Sequence, residues 1–155
     1  MAVLLLAAWW LLRPAGTTVA VYFVRADGTR STLQDVPRTV GERGAEAMLA
    51  AAIRALLAGP SAQERTSGLT TAIPAGTKLR SLRIDNAIVL LDLSSEIESG
   101  GGSAIMLARF WQLVYTATQF PHAPQVRILV DGVAKAALGG EGVLIDRPVG
   151  RPAAP

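Results

Sequence analysis

The chain has 155 residues, half of them hydrophobic and 17% charged, with a formal net charge of +3. That length can bury a core, and the composition is too apolar for a disordered chain. No cysteine is present, which excludes disulfides, thiolate zinc sites, a cysteine nucleophile and an acylated cysteine anchor within this sequence.

Met1–Leu12 (MAVLLLAAWWLL) carries no charge and is followed by Arg13-Pro14. A spanning helix needs about 20 apolar residues, so this stretch has the length of a signal-peptide core, and its Trp9-Trp10 pair suits a membrane interface. Residues 1–16 are therefore expected to be an export signal or membrane anchor, with a tether through residues 1–12. One domain is expected over residues 17–146, and a disordered tail over residues 147–155, where prolines recur without periodicity.

Thr18–Arg25 (TVAVYFVR) is rich in β-branched and aromatic residues and predicts the first strand, with a turn at Asp27-Gly28 and a short extended return to Arg38. Over Glu42–Ala58 an apolar stripe of Ala45, Met48, Leu49, Ala52, Ile53, Leu56 and Leu57 predicts the first helix, stopped by Gly59-Pro60. Ser61–Gly76 reads as a long connection packed through Leu69 and Ile73. Leu79–Ile84 and Ala87–Leu93 predict a hairpin turning at Asp85-Asn86, and the second strand, apolar on both parities, is expected to be covered on both faces. Ser94–Ser103, with its glycine run, reads as a loop.

A second helix starts at Ser103, whose hydroxyl is placed to cap it, and buries Met106, Phe110, Leu113, Val114 and Ala117. Pro121 and Pro124 end it, Gln125–Val130 alternates as a strand, and Gly142–Asp146 is a possible edge strand. The fold class is thus α+β, in the order β-α-β-β-α-β: a mixed sheet of four to five strands with both helices packed on one face.

Few residues point to chemistry. His122, the sole histidine, lies in a loop without a nearby acid. Asp85, Asp92 and Asp131 fit turns and a strand end better than a cation site. Glu96 and Glu98 have no cleft to make them a glycosidase pair, and Gly100–Gly102 lacks the Gly-Lys-Ser/Thr of a phosphate loop. No catalytic, cofactor or metal site is expected, and the arginines are too dispersed for nucleic acid. A possible interaction surface lies on the second helix, where Gln112, Thr116 and Gln119 form a polar stripe flanked by Trp111 and Tyr115. Leu129, apolar on the off-parity face of its strand, is a further contact candidate.

Several separated short motifs resemble one family, in its order. They are Leu56-Leu57-Ala58-Gly59-Pro60-Ser61, Gly68-Leu69, Ile73-Pro74-Ala75-Gly76-Thr77 and Leu91-Asp92-Leu93-Ser94, followed by Tyr115-Thr116-Ala117-Thr118-Gln119-Phe120-Pro121 and Val130-Asp131-Gly132. Together, from about Thr18 to Gly132, they are similar to the GerMN domain of sporulation and spore-germination proteins. The resemblance implies an α/β domain outside the bacterial cytoplasmic membrane, anchored or secreted. It also implies a non-catalytic role in assembling envelope or sporulation complexes. The leading reading is therefore a domain that binds an envelope protein or a second copy of itself. Binding of cell-wall glycan or another extracellular ligand is the alternative.

Overall fold

A computed structural model describes residues 16–28, 30–139 and 142–152; the N-terminal apolar stretch lies outside them. The fold is α+β and contains a mixed four-stranded sheet, as the residue patterns predict. Its membership differs from the chain-order expectation.

The first strand, β1 (Thr17–Asp27), is not in the mixed sheet. Along its whole length it pairs antiparallel with β2 (Arg30–Val40), and at Val24 and Arg25 with the short β3 (Leu69–Thr70). The expected short return is therefore a full eleven-residue strand. Its Pro37 is tolerated because β2 is an edge strand, where a missing N–H breaks no ladder. The mixed sheet runs in the order β4 (Leu79–Asp85), β5 (Ile88–Leu93), β6 (Gln125–Val130), β9 (Val149–Gly150), with β5 and β6 parallel. A separate two-stranded ribbon joins β7 (Ala137–Leu138) and β8 (Val143–Leu144).

Two long helices, α1 (Ala45–Ala58) and α3 (Ser103–Ala117), touch each other and tie the two larger sheets together. Helix α1 packs on β1, β2 and β4, and α3 on β1, β6, β8 and β9. Their periodic residues are buried as expected: Leu49, Ala52, Ile53 and Leu56 on α1, and Met106, Phe110, Leu113, Val114 and Ala117 on α3. They meet Val89, Leu91, Val126 and Ile128 on the inner face of the mixed sheet in one core. The opposite face of that sheet leaves Ile88, Leu90 and Leu129 only half-buried, so β5 is not covered equally on both sides.

Local differences have local causes. The β4–β5 turn falls at Asn86 and Ala87, with φ of 48° and 64°, one residue later than expected. The 94–103 loop contains a 3-10 turn, Ser95–Glu98, that buries Ile97. Helix α3 is capped by Gly102 without a side-chain hydrogen bond, and Ser103 is its first helical residue, so the Ser103 cap is corrected. The chain also does not trail off after Asp146. Val149 and Gly150 extend the mixed sheet along β6, and a Cβ at Gly150 would stand 2.9 Å from the Pro124 carbonyl oxygen, a gap only glycine fits.

The 61–76 connection holds a short helix, α2 (Ala62–Thr66), begun by a capping box. The Glu64 amide donates to Ser61 Oγ and the Ser61 amide to Glu64 Oε2, while Arg38 grips both carboxylate oxygens at 2.7 Å. The Arg38 hydrogen bonds, with the Ser61 amide behind them, hold the Glu64 carboxyl below its ordinary value of 4.5. A depressed folded-state value means stabilisation that is present above pH 4.5 and is lost as the pH falls through the lower folded value. Because the pair is partly exposed, Glu64→Gln is expected to cost about 1 kcal/mol near neutrality. Thermal melts of the two proteins should converge as the solution is acidified; a constant gap would show that the charge plays no part.

Arg109, on α3, is 2% exposed, and among the described residues no carboxylate pairs with it. Each of its five N–H groups nonetheless finds an acceptor. Nε donates to the Ala72 carbonyl, Nη1 to the Ile97 carbonyl and Met106 sulfur, and Nη2 to the Ser99 and Gly100 carbonyls. Burial lowers its pKa, yet a guanidinium remains charged at neutral pH. One side chain thereby fixes the glycine loop and the approach to Ile73 against the start of α3.

Candidate interaction surface

The stripe of Gln112, Thr116 and Gln119 on α3 faces inward, which overturns its reading as an outward contact surface. Gln112 and Thr116 are both 0% exposed and Gln119 is half-buried. The cause is the open edge of β1, where β3 covers only Val24 and Arg25. Below them, the Tyr22 amide donates to Thr116 Oγ1 and its carbonyl accepts from Gln112 Nε2. The Ala20 amide donates to Gln119 Oε1 at 2.8 Å and its carbonyl accepts from Gln119 Nε2 at 3.1 Å. Gln112 Oε1 also accepts from the Ala72 amide. The three side chains take the place of a neighbouring strand, satisfying backbone groups that would otherwise be unpaired or available to another chain.

Trp111 and Tyr115 stay half-exposed beside this latch and form an aromatic ridge with two residues the sequence did not single out. Tyr115 lies 5.3 Å from Tyr22 and 6.0 Å from Trp111, ring centre to ring centre. Arg151 sits over both tyrosines, 5.2 Å from Tyr22 and 5.0 Å from Tyr115, within the range of cation–π attraction. Leu129 lies elsewhere, on the β6 face turned away from the inner core residues.

A second surface, absent from the sequence reading, surrounds the beginning of α3. Ile105 and Leu107 are 49% and 47% exposed. Ile105 lines a groove of about 350 Å³ with Ala104, Ala108, Val24 and Thr70–Ala72, while Leu107 adjoins Val143 across a smaller depression. Leu144, next to Val143 in β8, is also exposed. The only available signal was Ile105 and Leu107 standing off the buried stripe of their helix.

The chemical candidates are dispersed. His122 is exposed and stacked on Phe120. Asp92 accepts from the Gly132 amide and pairs with Arg80, which also reaches Asp131, while Asp85 is at the far end of the hairpin. Glu98 pairs with Lys135 and accepts from the Gly139 amide. Glu96 is held below its ordinary value chiefly by the Ser94 hydroxyl. Among the described residues no three metal-binding side chains converge, and no helix is long and apolar enough to cross a membrane.

The architecture defines a small α+β domain whose accessible features are surfaces. The chain belongs to the Germane family, described as sporulation and spore germination, which it matches over residues 20–136. This agrees with the resemblance read from the short motifs. Among solved structures it is similar to a candidate lipoprotein from Clostridium perfringens, at 28% identity and a TM-score of 0.63 over 88% of each chain. It is also similar to the tandem GerMN domains of the sporulation protein GerM from Bacillus subtilis, at 26% identity and a TM-score of 0.70, covering 90% of this chain and 47% of that one. The first GerMN domain of GerM shares the fold, with 19% identity and a TM-score of 0.66. No curated protein matches the sequence significantly.

Proposed function

We propose that this chain is a non-catalytic, extracytoplasmic domain of the bacterial envelope that works by binding an envelope protein or a second copy of itself. The envelope setting is supported by the lipoprotein and GerM relatives and by the apolar Met1–Leu12, which suits a signal or tether. The observation that carries the binding role is the exposure of Ile105 beside the groove that it lines at the start of α3, with Leu107 exposed on another flank of the same helix. Large apolar side chains left in water beside a groove usually mark a contact. Trp111 and Tyr115 are the aromatic part of the proposed surface, and Leu129 is a separate candidate.

Because Ile105 and Leu107 are half in water, Ile105→Asp with Leu107→Asp is expected to leave the melting temperature within a few degrees of wild type and to reduce association at least tenfold, a loss of about 1.4 kcal/mol. Sedimentation and pull-down from native envelope read the association. Unchanged association moves the contact elsewhere, and Leu129→Lys is the variant that then asks whether the outer sheet face carries it.

One observation favours a second reading, binding of wall glycan. A groove of about 380 Å³ is lined by Tyr22, Phe120, Asp35, Gln119 and Arg151, which combines aromatic faces with planar hydrogen-bonding groups. Co-sedimentation with purified peptidoglycan, abolished by Tyr22→Ala, would favour it over protein binding.

A further inference from the structure

The segment after Asp146 sits in the fold as a ligand sits in a site. Val149 and Gly150 pair with Val126 and Gln125 on the open edge of β6, and Gly150 fits under the Pro124 carbonyl where no side chain would. Arg151 then leaves the strand and enters the Tyr22–Tyr115 cage. Its Nη2 donates to the Tyr115 carbonyl at 2.6 Å and its Nε to Thr118 Oγ1 at 3.3 Å. Strand addition supplies the backbone bonds and the caged cation supplies specificity, which is the logic of peptide recognition at a sheet edge. The segment lies beyond the span matched to the family, residues 20–136. Among the described residues it is held by two residue pairs, the Arg151 side chain and the half-buried Val149 packed against the core, and it is preceded by the exposed Asp146 and Arg147.

We infer that the β6 edge and the Tyr22–Tyr115 cage form an exchangeable peptide site whose second occupant is the C-terminal segment of another copy of this chain. The molecule's own segment fills the site at low concentration, because an attached ligand has a high effective concentration. Exchange links copies when they are crowded, as at a membrane surface. A second copy is the favoured occupant because the sequence that fits, with glycine under Pro124 and arginine next to it, is this chain's own. This goes beyond the proposed contact at the start of α3 and stands or falls separately.

The test uses the full chain in two variants: Arg151→Ala, which empties the cage, and Tyr115→Ala, which removes it while leaving Arg151 free to bind elsewhere. Mixed together, they are expected to form a mixed dimer by sedimentation, while neither self-associates at the same concentration. A hexapeptide with the sequence of Arg147–Pro152 should bind the Arg151→Ala chain at least about tenfold more tightly than wild type, whose site is occupied. The same peptide with alanine for its second arginine should not bind. Absence of a mixed dimer overturns the exchange, and equal peptide affinity for wild type and Arg151→Ala overturns the site. Should Arg151→Ala fail to fold, hydrogen exchange on wild type decides. Gly150 exchanging many-fold faster than Val126 and Ile128, and faster still with added peptide, supports an exchangeable segment; exchange at the core rate refutes it.

Discussion

Replacing Arg109 by alanine is expected to lower the melting temperature by about 10 °C, the equivalent of about 3–5 kcal/mol in a domain of this size. The substitution removes a well-packed side chain and strips acceptor bonds from four carbonyls, those of Ala72, Ile97, Ser99 and Gly100. The last two belong to exposed residues and regain water, and Ala72 is half-buried, so the buried Ile97 carbonyl dominates the loss. Arg109→Lys keeps the charge and is still expected to destabilise, because a compact ammonium with three donors cannot reach acceptors spread around a planar fork. A denaturation series that places Lys nearer to Ala than to Arg fits this geometry; full rescue by Lys would mean that charge, not the fork, is what the loop needs.

The second large effect is expected at Phe110. It is 4% exposed, lies in the buried stripe of α3 and contacts Trp111 edge-on at 4.9 Å between ring centres. Phe110→Ala should cost about 3–5 kcal/mol, the range for deleting a large buried aromatic. Phe110→Leu should recover much of it, since it keeps most of the apolar volume. An unchanged denaturant midpoint for Phe110→Ala would mean that α3 presents a different face to the core.

Periodicity carried most of what was legible. The stripes on α1 and α3, the Gly59-Pro60 stop, the β4–β5 hairpin and the alternation in β6 follow from local residues and reappear almost unchanged. What escaped depends on distant partners. That β1 belongs to a different sheet from β5 is a matter of pairing, and alternation within a strand is silent about its neighbour. Spacing placed Gln112, Thr116 and Gln119 together correctly, but spacing cannot tell a helix face turned to water from one turned to an open strand edge. Arg109 was hidden for the same reason, being a charged residue satisfied by carbonyls distant in sequence. By contrast, Ser61-Ala62-Gln63-Glu64 is a legible capping box, although the surrounding glycines and prolines give the segment the composition of a loop. The proline-rich end concealed β9 and Arg151, whose order comes from the β6 edge and two tyrosines far upstream.

Of the candidate site, only the Trp111–Tyr115 pair was readable in advance, and it acquires its surroundings from Tyr22 and Arg151. The apolar surface at the start of α3 depends on which neighbours leave Ile105 and Leu107 uncovered, and helix periodicity alone does not specify that. The most direct test of the proposed role is site-specific photocrosslinking in the native envelope, from position 107 and, as a control, from the exposed Arg54 on α1. The account predicts one discrete protein adduct from position 107, absent from position 54 and lost when Ile105 is replaced by Asp. The same adducts from both positions, or an adduct at 107 indifferent to Ile105→Asp, would contradict it.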